Sequence, residues 1–170
     1  RSYQSTLFVA NSADPTTAPV EVTAGGPPLA VQEWLFVPGV DAVVVITPQE
    51  QAFLIYLDGG TPPVPLGSLG QLIGFLPGSS MLMAEAGGKQ VLLDLASGKA
   101  TPVVRDALDP ALSRDGTQLA FLKLSPDGYT MTLNVAAPDG SNPREIISGK
   151  EFQGFYAPRF TPDGTKIVVS

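Results

Sequence analysis

A β-propeller of four-stranded antiparallel blades is the fold class that the sequence predicts, on three observations. Two turn motifs recur out of phase, each about every 40 residues, which marks a repeat architecture. Short strand-like stretches fill the intervals between them, whereas helix signals are poor. The two ends of the chain carry complementary halves of the repeat.

The first turn series is Phe36-Val37-Pro38-Gly39, Leu76-Pro77-Gly78, Ser113-Arg114-Asp115-Gly116 and Thr161-Pro162-Asp163-Gly164. Counted at the second turn residue, the steps from Pro38 to Pro77 and from Pro77 to Arg114 keep the period, and the step to Pro162 is longer. The second series is a proline just past a polar or glycine turn, at Pro19, Pro63, Pro102 and Pro143, and its three steps all stay close to the same period. All-strand units of that length are propeller blades.

Each repeat divides into four strands, a to d. Strand a precedes the first turn motif, at 31–37, 71–76, 109–113 and 156–161. Proline pre-sets the φ of the first turn position, and glycine takes the positive φ that a tight hairpin needs. Other strand stretches are 6–10, 42–46, 52–57, 90–95, 118–124, 130–136 and 166–169, rich in Val, Ile, Leu and aromatics. The run 42–46 is apolar on both faces, as expected for a strand covered from both sides. A second hairpin falls at Asp58-Gly59-Gly60, Ser97-Gly98-Lys99 and Pro138-Asp139-Gly140. Strand d is expected to begin near each proline of the second series, where an outer edge strand tolerates the missing N–H. No dozen-residue window keeps a helical apolar stripe without a Gly or Pro interrupting it.

The chain begins with strands c and d, at 6–10 and from Pro19 to Thr23, and closes with a and b. The expected partition of a single propeller domain or propeller fragment is therefore 1–30, 31–70, 71–108, 109–155 and 156–170: three whole blades and two half-blades. Three arrangements follow: a piece of a larger propeller, a closed four-bladed monomer, and a ring shared by two chains that self-associate through the terminal strands. Residue 1 is Arg and not Met, which reads as a processed or trimmed chain.

Composition narrows the partners. The 170 residues are 44% apolar and only 15% charged. Residues 1–88 hold one base, Arg1, and seven acids, whereas 89–170 hold nine of each. A net charge of −6 argues against nucleic acid and anionic membrane as partners. No apolar run approaches the roughly 18 residues of a membrane span. The chain has no Cys and no His. Disulfides, thiolate chemistry, a Ser-His-Asp triad and His-bearing metal sites are thereby excluded from it.

Pro158 to Ser170 (PRFTPDGTKIVVS) and Leu112 to Phe121 (LSRDGTQLAF) resemble the repeat of TolB-type β-propellers. Asn134 to Ile146 (NVAAPDGSNPREI) is similar to the second half of that repeat, and Val91 to Lys99 to the third strand and turn of WD-repeat blades. The resemblance is strongest over 109–170; earlier, Asp-Gly has decayed to Gly39 and Gly78. It implies periplasmic or secreted proteins that bind or scaffold others, or propeller domains of serine peptidases. The motif residues are turn residues, so no catalytic residue carries over.

Few side chains are candidates for chemistry. Asp106 and Asp109 flank the start of a strand a, where they form either two solvated acids or a pair for a hard cation. Asp94 reads as a partner of the turn that follows it. Asp115, Asp139 and Asp163 read as turn formers. Asp127-Gly128 reads as a second tight turn in a b–c loop.

The d–a and b–c loops, at 25–33, 47–51, 67–71, 125–129 and 149–156, lie at one end of the blades and form the expected binding face. Its candidate binding residues are Phe152, Phe155 and Tyr156, with Tyr129 and Gln51. The first three either cover the channel mouth as core or form a recognition patch. No catalytic residue, metal or cofactor is expected. The expected function is non-enzymatic: an extracytoplasmic propeller domain, periplasmic or secreted, that binds or scaffolds a protein partner. The alternatives are the propeller of a larger prolyl-peptidase-like hydrolase with catalysis elsewhere, and a carbohydrate or small-ligand binder.

Overall fold

The computed structural model describes residues 6–10, 12–14, 16–23, 26, 29–104, 106–125, 128–147 and 156–170. The described residues are strands and turns throughout. The chain divides into two compact units, 1–72 and 73–170.

In the first unit, β1 (Phe8–Val9) pairs antiparallel with β2 (Val20–Glu21), matching Phe8 to Glu21 and Val9 to Val20. A four-stranded meander follows: β3 (Glu33–Phe36), β4 (Ala42–Ile46), β5 (Gln51–Tyr56) and β6 (Val64–Ser68). All five residues of β4 are buried, as its double-faced apolar pattern requires. Val43, Val45 and Ile55 pack with Val22 and Val31, which ties the β1–β2 region to this blade. Pro65 lies in β6, the outer strand, beside a register irregularity, a setting that tolerates a proline. Trp34 and Phe36 alternate outward on β3 and meet edge to face, with ring centroids 5.2 Å apart.

The division of the chain falls inside β7 (Gln71–Phe75). That strand opens the sheet of β8 (Met81–Ala86), β9 (Lys89–Asp94) and β10 (Lys99–Pro102). The next blade is β11 (Ala107–Leu112), β12 (Leu119–Leu124), β13 (Met131–Ala136) and β14 (Arg144–Ile147). A final antiparallel pair joins β15 (Arg159–Phe160) to β16 (Ile167–Val168). Successive residues of β12 point to opposite faces. Phe121 enters a core with Met83, Leu92, Leu119 and Ala136, while Leu122 enters another with Leu133, Ile167 and Val169.

Two expected boundaries shift. Strand d of the β7–β10 blade ends at Pro102 instead of starting there, and the following blade begins at Ala107, so the expected cut between 108 and 109 falls inside β11. That strand carries Pro110 at a register irregularity between Leu108 and Ala111, with Asp109 at φ 46°. A bulge of this kind accommodates a proline that a regular ladder would not.

A hydrogen bond recurs at one repeat position. In the first unit the Leu72 amide donates to Glu33 Oε2 at 2.8 Å. In the second the Ala157 amide donates to Asp109 Oδ2 at 3.2 Å. Glu33, Leu72, Asp109 and Ala157 stand at the same offset before the second residue of their turn motifs, Pro38, Pro77, Arg114 and Pro162. Each acid on a strand a thus accepts from the matching amide one repeat later.

Candidate functional site

The predicted binding face is built from turns, and the structure places three of its five candidate residues. Gln51 opens β5, and its side chain is exposed. Its backbone closes the β4–β5 turn: its amide donates to Thr47 Oγ1 at 3.2 Å, and its carbonyl accepts from the Thr47 amide at 2.9 Å. Gln51 therefore shapes the loop through its main chain. Tyr129 follows Gly128, whose amide donates to the Ser125 carbonyl at 2.9 Å, so a tight turn presents the ring. Tyr129 is 91% exposed. Tyr156 is 61% exposed on the approach to β15, and its backbone pairs with Ser170 at 2.8 and 3.1 Å. Tyr129 and Tyr156 belong to the second unit, on b–c and d–a connections, which lie at the same end of antiparallel blades. Phe152, Phe155 and Asp127 lie outside the described residues.

The aspartates act on their own turns. Asp94 accepts from the Ser97 hydroxyl at 2.8 Å and the Ala96 amide at 3.0 Å. The Ser97 hydroxyl first, then the Ala96 amide, holds its carboxyl below the ordinary range. Asp115 is lowered chiefly by the Ser113 hydroxyl, and Asp163 by the Thr161 hydroxyl. Asp109 is committed to Ala157, and among the described residues no three metal-capable side chains come together.

A second surface was not foreseen. A groove of about 840 Å³ opens in the first unit, between the β1–β2 pair and the β5–β6 hairpin. Val22 and Ile55, both core residues, reach its floor; Glu21, Asp41, Thr17 and Thr61 line it. Beside it, the Thr16 hydroxyl and then the Thr17 hydroxyl lower the Asp14 carboxyl to about 2. The Thr61 hydroxyl likewise lowers Asp58. Both carboxylates are therefore charged at neutral pH. The available signal was the acidic bias of residues 1–88. A charge count carries no concavity, and Glu21 and Asp41 stand in different blades of the repeat, so the groove stayed hidden.

No protein-family model matches the chain, and no curated protein matches it. Solved structures do. The chain is similar to a structure of the tricorn protease, with 18% identity and a TM-score of 0.64, over 89% of this chain and 16% of that one. These are β-propeller blades. The chain is also similar to the structure of a complex of KlAtg21 with the coiled coil of AgAtg16: 12% identity and a TM-score of 0.59, over 99% of this chain and 57% of that one. A shorter match, to the β-propeller domain of the trilobed protease from Pyrococcus furiosus, has 15% identity and a TM-score of 0.45, over 60% of this chain and 34% of that one. The chain thus spans only a minor part of the tricorn protease.

Proposed function

We propose that this propeller is a protein-binding module that does no chemistry of its own. The observation that carries the reading is the pair of tyrosines, Tyr129 at 91% and Tyr156 at 61% exposure, presented at the loop end of the second unit. Aromatic side chains with a polar tip are enriched where proteins meet, because they bury large area at low entropic cost. The solved complex of KlAtg21 with a coiled coil supports a similar fold in that role. The TolB-type repeat supports an extracytoplasmic setting.

The test uses wild type and the Tyr129→Ser/Tyr156→Ser double variant to capture proteins from an extract of the source cells, with melting curves to confirm equal stability. A protein retained stoichiometrically by wild type and lost by the double variant is expected. An identical retained set, or none, overturns the reading.

A second reading has its own observation. The likeness to the tricorn protease supports a propeller that serves a larger hydrolase. The parent gene would then encode a further catalytic domain, recognisable by a Gly-x-Ser-x-Gly elbow. In either reading the chain alone is expected to leave esterase, peptidase and glycosidase substrates at buffer rate. Turnover abolished by one point substitution would contradict both.

A further inference from the structure

We propose that the groove of the first unit takes an extended peptide segment in which apolar and basic side chains alternate. The inference rests on the protein-binding reading and adds to it a second contact surface and the chemistry of the segment bound there.

The lining is partly apolar. Val20 is 62% exposed, Val9 and Leu57 are half-buried, and the core residues Val22 and Ile55 lie beside them, so side chains laid there leave water for a surface continuous with the core. One wall is the β1–β2 pair, from Val9 and Ala10 to Val20 and Thr23, a two-stranded ladder alongside which an extended segment can lie. The rim is negative. Glu21 and Asp41 line the groove, and residues 2–88 contain no Lys or Arg, so no base nearby in sequence neutralises them. Such a field favours a cationic partner and rejects an acidic one.

These three features select one pattern. An extended peptide directs successive side chains to opposite sides. Apolar residues at every second position meet the apolar lining, and the basic residues between them meet the rim carboxylates. The volume of about 840 Å³ holds a few side chains and not a folded domain.

The test is fluorescence anisotropy on the full chain with three labelled hexapeptides: alternating Val and Lys, alternating Val and Glu, and alternating Ser and Lys. The Val/Lys peptide is expected to bind roughly tenfold more tightly than either control. Glu21→Gln and Asp41→Asn are each expected to weaken it several-fold. Raising salt from about 0.05 to about 0.5 M should weaken it as well. Tyr129→Ser/Tyr156→Ser should leave it unchanged. Equal binding of the Val/Lys and Ser/Lys peptides, or indifference to both carboxamide variants, overturns the proposal. The peptide comparison on the unaltered chain decides the matter even where a variant folds poorly. If the peptides fail while tyrosine-dependent capture persists, the groove falls and the protein-binding reading stands.

Discussion

Gly116 stands at φ 63°, and a Cβ built there would lie 1.9 Å from Pro77 Cδ. Gly140, at φ 80°, meets the Val103 carbonyl oxygen at 2.5 Å in the same way. Gly39 shares the left-handed backbone but has open space around it. Gly39→Ala should therefore lose about 1 kcal/mol, from backbone strain alone. Gly116→Ala should lose about 1–3 kcal/mol more, because a rigid proline ring must move. Urea denaturation of the two variants checks this; equal losses would sink it. The glycines were legible as turn formers, but the proline that crowds Gly116 belongs to the turn of the preceding repeat, and only packing reveals it. The turn aspartates set a pH dependence. Hydrogen bonds from their own turns depress the carboxyls of Asp115 and Asp163 in the folded state. A depressed folded pKa gives stability that is present above the unfolded value and lost as pH falls through the folded one. The urea midpoint should stay level from about pH 7 to 5 and drop below about pH 4. Asp115→Asn and Asp163→Asn should flatten that drop. A midpoint that does not move between about pH 5 and 3 would remove this role.

Strands were legible where burial is two-sided. The run 42–46 is β4 to the residue, because it is short, rich in β-branched Val and Ile, and bounded by turn residues. By contrast, β8 was not among the strands named from sequence, since Met81–Ala86 consists of good helix formers. It is a strand because Leu82, Met83 and Ala84 are fully buried within its sheet, and packing outweighs propensity. All four residues of β10 are exposed, so no alternation marks its bounds, and Pro102 misled the placement of its start. Core position sets the energetic scale within an element. Phe121, 1% exposed at the centre of β12, should lose about 3–5 kcal/mol when cut to Ala. Leu124, exposed at the end of the same strand, should lose about 0.5 kcal/mol or less. The recurring carboxylate–amide bond is testable at this scale too. Asp109→Asn keeps an oxygen acceptor for the Ala157 amide, whereas Asp109→Ala removes it. Hydrogen exchange at Ala157 should quicken only in the alanine variant, and equal rates would show the bond to be incidental.

Across the whole molecule, charge is partitioned by sequence: −6 over residues 1–88 and zero over 89–170. The protein should pass through heparin and DNA-cellulose unretained even at low salt, since polyanions meet no basic stripe. Retention would contradict the partner classes read from composition. The repeat period made the architecture legible early, because turn chemistry at fixed spacing needs no knowledge of neighbours. The candidate sites were legible only in part. The sequence names Tyr156 with Phe152 and Phe155 as aromatics of one loop, and Tyr129 from its b–c turn, whereas the groove depends on side chains that only the fold gathers. The connections from strand d to the next strand a differ in length: the link from β6 to β7 is short, that from β10 to β11 is longer, and that from β14 to β15 is longer still. Yet Asp109 meets Ala157 at the same repeat position where Glu33 meets Leu72. Loop length and blade register are thus decoupled at the β6–β7 and β14–β15 connections. An evolving lineage, or an engineer grafting a foreign hairpin between β14 and β15, can replace that loop without re-tuning the frame beneath it.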